Sequence, residues 1–158
     1  MVTDPAIHNR TTRTDTTMTP SIDDLVTTFY RAFSGDTDLL ETVVTPDWED
    51  IPLAPGQGPG PQGAVPIISG LSQAVSELEI VVLDVVDGRG SDGNGTIATR
   101  CEIRGVHTGE LMGAPGTGRE IAVALHEFHE IADGRIRRTW HLEDWFGFIR
   151  RAQDVVAP

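Results

Sequence analysis

Residues 120–144 read EIAVALHEFHEIADGRIRRTWHLED, and their pattern decides the fold class. Asp133-Gly134 lies between two stretches of alternating character, the strongest short-range signal for a β-hairpin. Strands are therefore expected over 120–132 and 135–142. A two-residue turn pairs Ala132 with Arg135, so opposed residues sum to 267. In that register Val123, Leu125, Glu127, His129 and Ile131 share a face with Ile136, Arg138, Trp140, Leu142 and Asp144. The opposite face carries Ala122, Ala124, His126, Phe128 and Glu130, with Arg137, Thr139, His141 and Glu143. The first face is the more apolar and is expected to meet the core or a pocket.

Upstream, two further strands are expected over 77–86 and 96–108, joined by a glycine-rich loop over 87–95. Before them the period is helical. Ile22, Leu25, Val26, Phe29 and Phe33 form an apolar stripe behind Ser21, a good N-cap, and Gly35 ends the helix. A short helix over 36–44 and a strand over 48–53 follow; Pro52 argues for an edge position. A proline- and glycine-rich loop spans 54–63, and a helix over 64–76 tolerates Pro66 in its first turn. After the hairpin a short helix is expected over 145–151. Helices first and antiparallel strands after define an α+β class. The threonine-rich residues 1–20 cannot bury enough apolar surface to offset ordering and are expected to be a disordered tail. The folded domain is then 21–152, with a short tail over 153–158.

The 158 residues carry 12 basic and 24 acidic side chains, a formal net charge of −12. Every basic residue is arginine, which excludes a Schiff-base or phosphate-loop lysine. The acidity opposes binding to nucleic acid or anionic lipid. One cysteine, Cys101, allows no internal disulfide, and its alternation with Ile97 and Ile103 suits a buried strand thiol. No stretch reaches the roughly 20 apolar residues of a membrane span, and a cytoplasmic location is expected.

Several patterns could carry chemistry. Asp144 ends the apolar series of the hairpin; a carboxylate desolvated there would have a raised pKa suited to proton transfer. The competing reading is a cap on the helix that follows. His129 shares the face, six residues short of the position opposite Asp144, or about 20 Å along a flat strand. Gly58-Pro59-Gly60-Pro61-Gln62-Gly63 fits a dinucleotide-binding pattern, but two prolines stand where phosphate-binding N–H groups are wanted and no βαβ repeat follows. In the 267 register His126 opposes His141, with Glu143 two residues on, a two-histidine, one-carboxylate arrangement; the same pattern arises on solvated strand faces, and no metal is expected.

The segments 105–119 (GVHTGELMGAPGTGR), 129–136 (HEIADGRI) and 139–145 (TWHLEDW) resemble the SnoaL-like polyketide cyclases. These are a branch of the NTF2-like, ketosteroid-isomerase-like superfamily. The resemblance spans roughly residues 21–150. It implies a cone-shaped α+β barrel, with N-terminal helices packed on a curved, mainly antiparallel sheet, and homodimers or higher homo-oligomers. It also implies cofactor-free intramolecular aldol closure of a polyketide ring. The family's acid/base aspartate corresponds to Asp144, and a polar residue on the preceding strand to His129. Members often carry a histidine in the first strand, where this chain has Trp48-Glu49-Asp50-Ile51-Pro52. The expected pocket wall is Leu125, Ile136, Trp140 and Leu142, with Glu127 and Arg138 also lining it, around a small hydrophobic ligand. A polyketide hydroxylase of the same family and a non-catalytic binding protein for a hydrophobic molecule are the alternatives.

Overall fold

A computed structural model describes residues 21–154. Ser21 accepts a hydrogen bond from the Asp24 amide and starts α1, Ile22–Phe33. A 3₁₀ turn at Thr37–Leu39 leads into the one-turn α2, Leu40–Val43, then β1, Val44–Ile51, and α3, Gly60–Ala74. Four strands complete the sheet: β2, Val75–Arg89; β3, Gly95–His107; β4, Glu120–Ala132; and β5, Arg135–Glu143. The chain then enters α4, Trp145–Gln153. The expected tail over 1–20 and the residues after Asp154 lie outside the described part.

The five strands order as β1-β5-β4-β3-β2. All neighbours are antiparallel except β1 and β5, which run parallel, so the sheet is mixed. It is open rather than a closed barrel, with β1 and β2 as its edges. This is the cone-shaped α+β fold, with the helices packed on one face of the sheet. The edge position expected for the first strand is observed, although β1 begins four residues earlier. At the other edge, β2 and β3 extend through most of the expected 87–95 loop and leave a turn over 90–94.

The apolar stripe of α1 packs on the sheet. Phe29 meets His129 edge-on with ring centroids 4.9 Å apart, and both Phe29 and Phe33 lie 6.3 Å from the Trp48 ring. Leu25, Val26, Ile97, Val123, Ile131 and Ile136 complete the surrounding core. The helix α3 starts at Gly60 because the chain before it crosses its first turn. A Cβ on Gly63 would stand 1.9 Å from the Gly58 carbonyl oxygen. The G-x-G-x-x-G stretch therefore builds a tight approach to a helix.

The hairpin departs from the expected register, and the departure moves the site. Ala132 pairs with Arg135 and Ile131 with Ile136, as two-residue pairing demands. Beyond that, Glu130 opposes Arg138, His129 opposes Thr139, and Glu127 opposes His141. Arg137 is left as a one-residue bulge, and opposed residues now sum to 268. A slip of one residue turns every later side chain to the opposite face. Thr139, His141 and Glu143 thus join Glu127 and His129 inside, while Arg138, Trp140 and Leu142 face out. The physical reason is Arg138. In the unbulged register its guanidinium would be turned inside beside His129, where desolvating it costs several kcal/mol even with Glu127 nearby. With the bulge it pairs outside with Glu49 at 2.9 Å and Glu130 at 3.0 Å.

Candidate active site

Beneath α1 and α3 the inner face of the sheet encloses a cavity of about 250 Å³. Its walls are mostly apolar: Phe33, Ile67, Ile68, Leu71, Ile103 and Leu125. Segment 52–57, Met112 and Trp145 form the rim. The polar groups converge from separate elements: Tyr30 from α1, Asp50 from β1, Glu127 from β4, and His141 and Glu143 from β5.

Asp50 and His141 form one half of this polar end. Asp50 Oδ2 accepts a 2.8 Å hydrogen bond from Gln57 Nε2, and Gln57 Oε1 accepts from the Ala54 amide, latching the rim segment to the carboxylate. His141 meets acceptors on both sides. Nδ1 lies 2.9 Å from Glu143 Oε1, while Nε2 lies 2.8 Å from the Pro52 carbonyl and 3.4 Å from Asp50 Oδ1. A ring so placed donates from both nitrogens and is an imidazolium. Burial alone would lower its pKa, but the hydrogen bond to Glu143 and the charges of Glu143, Asp50 and Glu127 prevail and raise it to about 9. Burial also raises Asp50 above the usual carboxylate value, against the opposing hydrogen bond from Gln57 and the charge of His141.

Glu127 and Tyr30 form the other half. Glu127 is 6% exposed, and its Oε2 accepts a 2.5 Å hydrogen bond from the Tyr30 hydroxyl. Tyr30 Oη also lies 2.5 Å from Thr99 Oγ1 and 3.1 Å from His129 Nε2. Behind it, His129 Nδ1 is 3.1 Å from Thr139 Oγ1, which accepts a 3.1 Å hydrogen bond from the Trp48 indole N–H. Burial pushes Glu127 up to about 8, although the Tyr30 hydrogen bond and the positive charge of His141 pull the other way. Glu127 thus keeps its proton at neutral pH. His129 is pushed down to about 3, first by burial and then by His141, and is neutral. Burial and the adjacent Glu127 hold the Tyr30 phenol far above its ordinary value.

The eight residues expected at the site divide. Leu125 and Glu127 line the cavity. His129, 1% exposed, lies behind its wall against Tyr30, and Ile136 belongs to the core. Arg138, Trp140 and Leu142 do not reach the cavity: Trp140 is 38% and Leu142 72% exposed on the outer face, for the register reason above. Asp144 is outside as well. It caps α4, accepting a 2.9 Å hydrogen bond from the Gly147 amide, with Arg151 at 3.9 Å. His126 stands on the outer face opposite Leu142, so it cannot join His141 and Glu143 around one ion. Among the described residues no group of three or more His, Cys, Asp or Glu side chains could hold a metal ion, and no helix is long and apolar enough to cross a membrane.

Tyr30, Asp50, Gln57, His141 and Glu143 were missing from the expected site. Two left a sequence signal. Tyr30 is the chain's one tyrosine and sits four residues after Val26 on the apolar face of α1. Asp50 is two residues from Trp48 on the same face of a strand.

Comparison with known proteins agrees with this architecture. The SnoaL-like polyketide cyclase family matches residues 24–151, and the chain belongs to it. TsrD from Streptomyces laurentii superposes with a TM-score of 0.72 at 24% identity, over 83% of this chain and 93% of its own. IdmH from Streptomyces antibioticus, a candidate polyketide cyclase, gives 0.65 at 26%, over 82% and 96%. AclR from Streptomyces galilaeus, a candidate hydroxylase, gives 0.65 at 19%, over 85% and 95%. A sequence search of curated proteins finds no match.

Proposed function

We propose that the cavity closes a ring in a polyketide-like substrate by intramolecular aldol addition, with Asp50 and Glu127 as the proton-moving groups and no cofactor. One observation carries this reading: two carboxyl groups, Asp50 and Glu127, line the polar end of an otherwise apolar pocket, where burial pushes both pKa values up. Asp50, as carboxylate, takes a proton from a methylene flanked by two carbonyls, already acidic without a metal. The enolate carbon attacks an internal carbonyl carbon, forming the new C–C bond. Glu127, as carboxylic acid, gives its proton to the oxygen that becomes alkoxide. Asp50 ends protonated and Glu127 ionised, and return of one proton between them through solvent resets the site. No atom is gained or lost. The hydrogen bond from Gln57 and the charge of His141 favour the Asp50 carboxylate against the desolvation that raises its pKa.

The test is turnover of an aromatic polyketide methyl ester, followed by the absorbance of the cyclised product. Asp50→Asn and Glu127→Gln are each expected to lose at least about 100-fold in kcat, the usual worth of a general acid or base. Asp144→Asn is expected to turn over like the parent. Unchanged turnover in both cavity variants removes the mechanism. Thermal stabilisation by the ester without product would identify a binding protein, and oxygen uptake a hydroxylase.

A further inference from the structure

The Trp48–Thr139–His129 end of the buried chain behind Glu127 has one arrangement of hydrogens that leaves nothing unpaired. The Trp48 indole can only donate, and it donates to Thr139 Oγ1. Thr139 is fully buried, and its hydroxyl has one further neighbour, His129 Nδ1 at 3.1 Å. If Nδ1 carried the hydrogen, Thr139 would accept twice and its own hydrogen would have no acceptor. The paired arrangement has Thr139 donating to a bare Nδ1. Neutral His129 then carries its hydrogen on Nε2 and donates to Tyr30 Oη, 3.1 Å away. Tyr30 accepts there and directs its hydroxyl hydrogen at Glu127 Oε2, with the Thr99 hydroxyl at its remaining position.

The end of the chain determines where Glu127 works. Its Oε2 is occupied by the Tyr30 donor. Its Oε1 has no hydrogen-bond partner among the described residues, and the Glu127 side chain, which is 7% exposed, lines the cavity, leaving Oε1 as the oxygen available to it. We infer that Trp48, Thr139 and His129 are positioning residues that hold the Tyr30 hydrogen on Oε2, so that Glu127 gives and takes its own proton at Oε1, toward substrate. The groups facing Glu127 are Tyr30 from α1, Asp50 from β1, Cys101 from β3, His129 on β4, and His141 and Glu143 from β5. Of these, only Tyr30 and His129 connect it to the buried chain. The role in catalysis rests on the aldol reading; the direction of the chain does not.

The direction is measurable without substrate. In the full-length ¹⁵N-labelled protein, imidazole ¹⁵N shifts of His129, assigned by their loss in His129→Gln, are expected to show hydrogen on Nε2 and a bare Nδ1. Hydrogen on Nδ1 in the parent protein overturns the inference, whatever the enzyme turns over. Thr139→Val removes the group that distinguishes the two tautomers, because either then leaves the same number of unpaired atoms. The Nδ1–H form is expected to rise from under about a tenth to about half of the molecules. Thr139→Ser is expected to restore the parent pattern. A Thr139→Val spectrum identical to the parent also overturns it. With polyketide ester, Thr139→Val is expected to lower kcat with KM held and to displace the limb of the pH profile that reports Glu127; a change in KM alone would show a merely structural role. If Glu127→Gln is fully active while His129 is Nε2–H, the aldol reading fails and the chain stands.

Discussion

Glu127→Gln tests the electrostatics of the cavity through stability alone. The Glu127 carboxyl has an ordinary value of 4.5 and is pushed by burial to about 8 in the fold. Between those values the folded protein holds a proton that the unfolded chain has released. Raising pH therefore favours unfolding, by about 1.4 kcal/mol per unit. The whole interval sets a ceiling of about 5 kcal/mol; because Tyr30 and His141 readjust with Glu127, about 2–4 kcal/mol is expected. For a domain of this size that is a fall in Tm of roughly 6–15 °C between pH 5 and pH 8.5. Glutamine keeps the volume and an oxygen for Tyr30 but cannot ionise. The His141 contribution has the same sign over a higher window, since a group raised to about 9 loses its stabilisation as pH climbs from 6.5 through 9; Glu143 and Asp50, its larger causes, remain in the variant. The assay is thermal unfolding by circular dichroism at half-unit pH steps for both proteins. The parent is expected to fall more steeply than Glu127→Gln above pH 5. Parallel curves would refute the buried, protonated Glu127.

Leu142→Lys is expected to change stability by no more than about 0.5 kcal/mol in urea unfolding, because Leu142 is 72% exposed; a loss of several kcal/mol would return the hairpin to the unbulged register. Asp144→Ala removes the cap on α4 and is expected to cost about 1 kcal/mol with turnover unchanged, checked by melting and the ester assay together. Gly63→Ala places a Cβ against the Gly58 carbonyl and is expected to cost about 2 kcal/mol or more in chemical unfolding. Acidification is expected to destabilise the fold from pH 6.5 toward 3, where buried neutral His129 opposes the protonation the unfolded chain takes up; His129→Gln should flatten that limb of the melting curve.

The sequence by itself determined the α+β class, the edge placement of the first strand, the Asp133-Gly134 hairpin and the family. Each depends on local signals: the 3.6 and 2.0 periods, a turn that needs Asp-Gly, a proline that cannot donate. It also turned Leu125 and Glu127 to the inner face, where they line the cavity, since β4 alternates without interruption. What only the tertiary structure decided was the facing of β5 beyond Ile136. Alternation is silent about a bulge, and both registers bury acceptable sets of side chains when the strand is read alone. The choice is made by the cost of burying Arg138 and by Glu49 and Glu130 waiting outside, partners supplied by two other strands. The adjacent Arg137-Arg138 pair, two charges in succession where alternation calls for one, is the trace of that choice in the chain. The same register leaves Asp144 as a helix cap, while Asp50 and Tyr30, 20 residues apart and distant from the hairpin in sequence, reach the site through the pairing of β1 with β5 and the packing of α1 on the sheet.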